Sequence, residues 1–102
     1  MRLTIHQIES IKKTFTSVFD AEDHIWLFGS RVDRKKRGGD IDLYIETVST
    51  DFSIVAQKQL SFLSSLKKEI GDQKIDLIIN MLSENKILPI YKEAKSTGIL
   101  LV

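Results

Sequence analysis

The chain has 102 residues, with 15 lysines and arginines against 14 aspartates and glutamates, and no cysteine. This length predicts a single domain over residues 1–102, and the balance of charge gives no general argument for binding nucleic acid or a membrane surface. The lack of cysteine excludes disulfides and thiolate metal sites. No apolar run approaches the ~20 residues that span a bilayer, and the first residues lack the apolar core of a secretory signal. We therefore expect a cytoplasmic protein with no membrane partner.

The first half of the chain predicts a helix followed by two strands. The helix covers Thr4 to Phe19, with Thr4 as its N-cap, because apolar residues recur at helical spacing. These residues are Ile5, Ile8, Ile11, Phe15, Val18 and Phe19. A short apolar segment, His24 to Phe28, predicts a buried strand. Ser30 to Asp33 can then form a short helical turn, and Asp40 to Thr47 predicts the second strand.

The second half predicts a long helix, a strand, a helix and a last short strand. The long helix begins after a cap at Asp51 or Ser53 and ends near Ile70. Its predicted apolar positions are Val55, Leu60 or Ala56, Leu63, Leu66 and Ile70. The later elements are a strand from Lys74 to Asn80, a helix from Pro89 to Ser96 and a strand from Ile99 to Val102. The resulting order, α-β-α-β-α-β, predicts a mixed α/β (α+β) domain in which three to four strands form one sheet packed against helices.

Two aspartates in the second predicted strand need an explanation, because strands disfavour Asp. Asp40 and Asp42 are two residues apart, so their carboxylates would stand side by side on one face of a strand and repel each other. A divalent cation would make that arrangement favourable. Asp76 interrupts the third predicted strand in the same way, and its apolar neighbours predict that it is buried. If the two strands are neighbours, three carboxylates converge and can hold two Mg²⁺ ions ~3.5–4 Å apart.

The turn after the first strand supplies groups that suit a phosphate. Gly29 allows a backbone N–H to approach a phosphate closely, and Ser30 offers a hydroxyl beside the free N–H groups of the following turn. Together with the carboxylates, this turn predicts a nucleoside-triphosphate site. Tyr44 is expected to face away from the metals and to contact the core or a partner.

Simpler explanations exist for each of these residues. Asp40 and Asp42 could be exposed turn carboxylates, Asp76 could face solvent on an edge strand, and the Gly-Ser pair could be an ordinary turn with a serine N-cap. For the basic run Arg34 to Arg37, a solvated loop is favoured over a contact with phosphate or nucleic acid.

Three short motifs together resemble the DNA polymerase β-like nucleotidyltransferase superfamily. They are Leu27-Phe28-Gly29-Ser30, Gly39-Asp40-Ile41-Asp42-Leu43 and Ile75-Asp76-Leu77. The short chain, without a large C-terminal helical domain, looks most like the minimal nucleotidyltransferases (MNT proteins), many of which are encoded beside a helical HEPN-domain toxin.

The resemblance implies a role for each matching residue. Asp40, Asp42 and Asp76 would be the catalytic residues and the ligands of two Mg²⁺ ions, with Asp76 also helping to activate the acceptor hydroxyl. Gly29, Ser30 and Arg31 would bind the phosphates of ATP. The reaction implied is in-line attack on the α-phosphorus of ATP, which transfers AMP and releases pyrophosphate.

The resemblance also suggests a partner. The expected acceptor is a hydroxyl of a HEPN-type toxin, so the chain would act as the antitoxin of a toxin–antitoxin system. One alternative is a non-catalytic module that neutralises its partner by occlusion. Another is a nucleotidyltransferase that acts on a small molecule or an RNA, although we do not expect a nucleic-acid partner from so narrow a basic segment. Assembly into a homo- or hetero-oligomer is left open.

Overall fold

The computed structural model describes residues 3–29 and 41–102. Its elements in chain order are α1 (Ile5–Val18), β1 (His24–Phe28), β2 (Ile41–Thr47), α2 (Phe52–Ile70), β3 (Ile75–Met81), α3 (Pro89–Thr97) and β4 (Ile99–Leu100), with a short 3-10 helix at Leu82–Glu84. The mixed α/β class is confirmed. The described elements run α-β-β-α-β-α-β, and the predicted helical turn at Ser30 to Asp33 lies outside the described residues.

The strands form one mixed sheet in the order β3-β2-β1-β4. β1 pairs antiparallel with both β2 and β4, whereas β2 and β3 are parallel. Parallel neighbours need a crossover connection, and α2 supplies it. The second and third strands are therefore neighbours, as the convergence of their acidic residues requires. β3 is an edge strand of this sheet.

One sheet face packs against α1 and α2 and forms the main core. The side chains that β1 and β2 contribute to this core are fully buried: Ile25, Leu27, Ile41, Leu43 and Ile45. Phe62 of α2 meets the ring of Phe15 edge-on, with the centroids 6.3 Å apart. Ala56 or Leu60 was predicted to face this core, but Ala56 is exposed and Leu60 is 71% exposed. Leu60 follows Val55 by five residues, which turns it roughly 140° around the helix, whereas Phe62 and Leu66 return to the side of Val55.

The opposite sheet face carries a smaller cluster under α3. Trp26, Phe28 and Tyr44 pack there against Ala94 of the helix. Because alternate residues of a strand point to opposite faces, this face also carries Asp42 and Glu46. The side of the sheet covered by α3 is therefore the side on which the candidate site lies.

Local capping fixes where the two long helices begin. The Thr4 hydroxyl accepts a hydrogen bond from the Gln7 N–H (3.1 Å), and the Gln7 side chain accepts one from the Thr4 N–H (2.9 Å), which completes a capping box. The Asp51 carboxylate accepts from the N–H groups of Ser53 (2.9 Å) and Ile54 (3.3 Å), so Asp51 is the cap of α2. Within residues 3–29 and 41–102, no helix is long and apolar enough to span a membrane.

Candidate functional site

The strand register brings two of the predicted acidic residues together. Asp42 of β2 is paired with Asp76 of β3 on one side and with Phe28 of β1 on the other. Directly paired residues project to the same sheet face, on strands ~4.8 Å apart. Asp42 is half-buried and Asp76 is exposed. The prediction that Asp76 is buried is wrong, because its strand lies at the edge of the sheet and the side chain points away from α1 and α2.

Gly29 lies directly against the Asp42 carboxylate. Its φ is +79°, a conformation that residues with a side chain rarely adopt. A Cβ atom at this position would collide with Asp42 Oδ2 and stand only 2.9 Å from Asp42 Cγ. Glycine is therefore required here both for the turn and for the approach of the carboxylate. The sequence predicts that this glycine makes room for a phosphate, and the structure adds that it makes room for an acidic side chain.

The other predicted site residues lie outside the described residues. They are Asp40, Ser30 and Arg31, together with the basic run Arg34 to Arg37. The described part of the predicted site is thus Gly29, Asp42 and Asp76.

The carboxylate oxygens of Asp42 and Asp76 are suitable ligands for a hard cation. Among the described residues, no group of three or more His, Asp or Glu side chains is placed to hold a metal ion. Asp42 and Asp76 form a pair, and the predicted third acid, Asp40, lies outside the described residues. Mg²⁺ is commonly held by one or two carboxylates, with water and phosphate oxygens completing its six ligands. The two carboxylates fit that requirement as far as the described residues extend.

A polar network that sequence reasoning missed lies further along the same face. The buried Tyr44 hydroxyl donates to Glu46 Oε2 (2.8 Å) and accepts from Asn80 Nδ2 (3.0 Å). Lys95 of α3 pairs with the same Glu46 oxygen at 3.2 Å. Burial, above all, raises the pKa of Tyr44 well above its usual 10.0, because the phenolate would lose its hydration.

Tyr44 corrects one prediction and confirms another. It belongs to the core, as expected, but it lies on the face of Asp42 and not away from it. The signal was present in the sequence, because Asp42, Tyr44 and Glu46 are spaced by two residues and must share a face of one strand. The network holds α3 to the sheet through Lys95, whose ammonium also lies 5.3 Å from the centroid of the Trp26 ring.

Comparison of the chain with protein-family models finds no match, and comparison with curated proteins finds none either. The fold and the site define a mixed α/β protein with a carboxylate pair at one edge of its sheet. This architecture is compatible with the α+β nucleotidyltransferase fold, and the assignment of a function depends on the motif residues and on their geometry.

Proposed function

We propose that the protein is a Mg²⁺-dependent nucleotidyltransferase that transfers AMP from ATP to a hydroxyl group of a partner protein. The observation that carries this proposal is the register of Asp42 opposite Asp76, with the Asp42 carboxylate packed on Gly29. The sequence motifs place a glycine-serine turn and two acidic strands in order along the chain. The register sets the end of β1 beside Asp42, and Asp42 beside Asp76.

Each residue has a defined task in this proposal. Asp42 and Asp76, with Asp40, would hold Mg²⁺, which supplies charge neutralisation of the triphosphate and polarisation of the α-phosphorus. The Gly29 backbone, Ser30 and Arg31 would bind the phosphates of ATP. Asp76 is exposed at the sheet edge, where a hydroxyl group from a second protein can reach it.

The proposed transfer is an in-line displacement at the α-phosphorus of ATP. The acceptor oxygen forms a bond to the α-phosphorus while the bond from that phosphorus to the bridging oxygen of pyrophosphate breaks. Pyrophosphate leaves with the electron pair. The proton of the acceptor hydroxyl passes to the Asp76 carboxylate, which acts as general base.

The partner is proposed from the family resemblance. A HEPN-type helical toxin would supply the acceptor, most naturally a tyrosine hydroxyl, and the chain would act as its antitoxin in the cytoplasm. Modification of the toxin would then be the means of neutralisation.

The test is transfer of radiolabel from α-labelled ATP to a co-purified HEPN-type partner in the presence of Mg²⁺. We expect Asp42→Asn to abolish transfer, because the amide keeps the shape of the side chain on Gly29 but loses the charge. Asp72→Asn, an exposed acid in the loop before β3, is the matched control and should behave as wild type. Titration calorimetry of ATP with and without Mg²⁺ gives a second readout, and only the wild type and the control should show metal-dependent binding.

Neutralisation by occlusion is the second candidate, and the exposed apolar side chains beside α3 favour it. Ile87 is 91% exposed and Leu88 is 43% exposed. If an Asp42→Asn, Asp76→Asn double variant still binds and fully neutralises the toxin, occlusion is the function and the transferase proposal is wrong.

A further inference from the structure

An open groove runs along α3 on the sheet face that carries the carboxylate pair. Its cavity volume is about 470 Å³, and β2, β3, α3 and the segment before α3 all line it. The apolar part of the lining is formed by Ile87, Leu88 and Tyr91, and the basic part by Lys86, Lys92 and Lys95. We call this surface the α3 groove. Exposed aliphatic side chains beside a concave surface are typical of sites that bind a partner.

Exposed apolar side chains continue past the groove, which favours a protein segment over a small ligand as its occupant. A second depression of about 260 Å³ adjoins the groove and shares Lys86 and Tyr91 with it. This depression also includes Phe52, whose side chain is 73% exposed. Ile87 and Phe52 both stand largely in solvent, so covering them takes an occupant that extends beyond the groove, as a segment of a protein does.

The charge of the groove indicates what kind of segment it fits. Among the residues that the structure describes, its lining contains three lysines and one acidic residue, Glu46, which is already paired with Lys95. Lys86 approaches Glu84 at 3.8 Å, with both side chains largely exposed. No ion pair joins Lys92 to another described residue. The groove is therefore net positive, and acidic side chains complement it.

We propose that the α3 groove docks an acidic amphipathic segment of a partner protein. Apolar side chains of that segment would lie against Ile87, Leu88 and Tyr91, and its carboxylates would lie beside Lys86 and Lys92. An amphipathic segment that lays its apolar side into a groove is a common mode of recognition.

The position of the groove connects docking with the carboxylate pair. Glu46 in the groove and Asp42 are four residues apart on β2, which corresponds to ~13 Å along the strand. A partner docked in the groove can therefore present a hydroxyl group at the acids. Only this last step rests on the proposed function, since docking itself needs neither ATP nor metal.

The test measures binding of fluorescein-labelled peptides to the full chain by fluorescence anisotropy, without ATP. One peptide is amphipathic, with leucines along one face and glutamates along the opposite face. In the second peptide, lysines replace the glutamates. We expect the glutamate peptide to bind more tightly. Lys92→Glu should weaken it about fivefold and strengthen the lysine peptide, and Ile87→Ser should weaken both about tenfold.

Two control variants separate docking from other effects. Lys13→Glu reverses an exposed charge on α1, which packs on the other sheet face, and should change neither affinity. Asp42→Asn should also leave peptide binding unchanged, so a failure of AMP transfer and a failure of docking are distinguishable. Lys92 and Ile87 are exposed, and circular dichroism should show that both variants remain folded.

Three results would overturn the proposal. The first is equal binding of the two peptides, with no effect of Lys92→Glu. The second is displacement of the peptide by ATP together with weaker ATP binding by Ile87→Ser, which would make the groove a nucleotide pocket. The third is a dimer by light scattering that Ile87→Ser dissociates, which would show that a second copy of the chain occupies the groove.

Discussion

Replacing Gly29 by alanine should disturb both stability and the position of the Asp42 carboxylate. The new Cβ atom would collide with Oδ2 of that carboxylate, and it would also stand 2.9 Å from Cγ and 3.1 Å from Cβ of Asp42. The Asp42 side chain is half-buried. It must therefore leave its rotamer to avoid the new Cβ atom. The substitution therefore combines backbone strain with displacement of a candidate ligand.

The expected loss in the free energy of unfolding has two parts. A positive φ at a residue with a side chain costs about 1–3 kcal/mol, and a side chain forced about 30° off its rotamer costs about 0.5–1.5 kcal/mol. For a domain of this size each kcal/mol lowers Tm by roughly 4–8 °C. Gly29→Ala should thus be among the more destabilising single substitutions on this sheet face.

Gly71 provides a matched control. It also has a positive φ, +85°, but a Cβ atom there would meet nothing within 4 Å. Gly71→Ala should therefore lower the free energy of unfolding only by the cost of a positive φ. Unfolding in urea, followed by circular dichroism, gives the free energy of unfolding of both variants, and a double-mutant cycle with Asp42→Ala isolates the contact. We expect a coupling of about 1 kcal/mol between Gly29 and Asp42.

The contrary result is a double-mutant cycle in which the effects of Gly29→Ala and Asp42→Ala on the free energy of unfolding are additive. In that case the alanine at position 29 does not meet the carboxylate, and the placement of Asp42 on Gly29 is incorrect.

Three further predictions concern the polar network, a helix cap and the core. Tyr44→Phe should cost about 1 kcal/mol at neutral pH, because Asn80 loses its acceptor. The pKa of Tyr44 is raised above 10.0 in the folded protein, so its contribution to stability is complete below pH 10 and falls as the pH rises above it. Unfolding in urea at several alkaline pH values should therefore show a shallower decline in the free energy of unfolding for Tyr44→Phe than for the wild type. Asp51→Ala should cost about 1 kcal/mol by thermal unfolding, and Asp51→Asn much less, because asparagine also caps helices. Phe62→Ala should cost about 3–5 kcal/mol, because the ring is fully buried. Phe52→Ala should stay within about 0.5 kcal/mol, because that ring is largely exposed. No difference between the two phenylalanine variants would contradict the assigned core.

Much of the fold could be predicted because local patterns carry it. The Thr4 N-cap, the positions of the strands and the helix after Pro89 follow from capping groups and periodicity. Two of the wrong predictions contradict spacings that the sequence itself contains. Leu60 does not fit the helical stripe of Val55 and Leu66, and Tyr44 shares the two-residue period of Asp42.

For the candidate site, the sequence determined which residue types stand in which order: a glycine-serine turn, then two acidic strands. Only the tertiary structure decided that Asp42 and Asp76 are directly paired on one face of the sheet. The parallel register of β2 and β3 is set by packing between elements that are remote in sequence. The exposure of Asp76 likewise depends on β3 being an edge strand, and strand order is not a local property. The contact of Gly29 with Asp42 and the groove along α3 have the same origin, since each requires segments that meet only when the sheet is assembled.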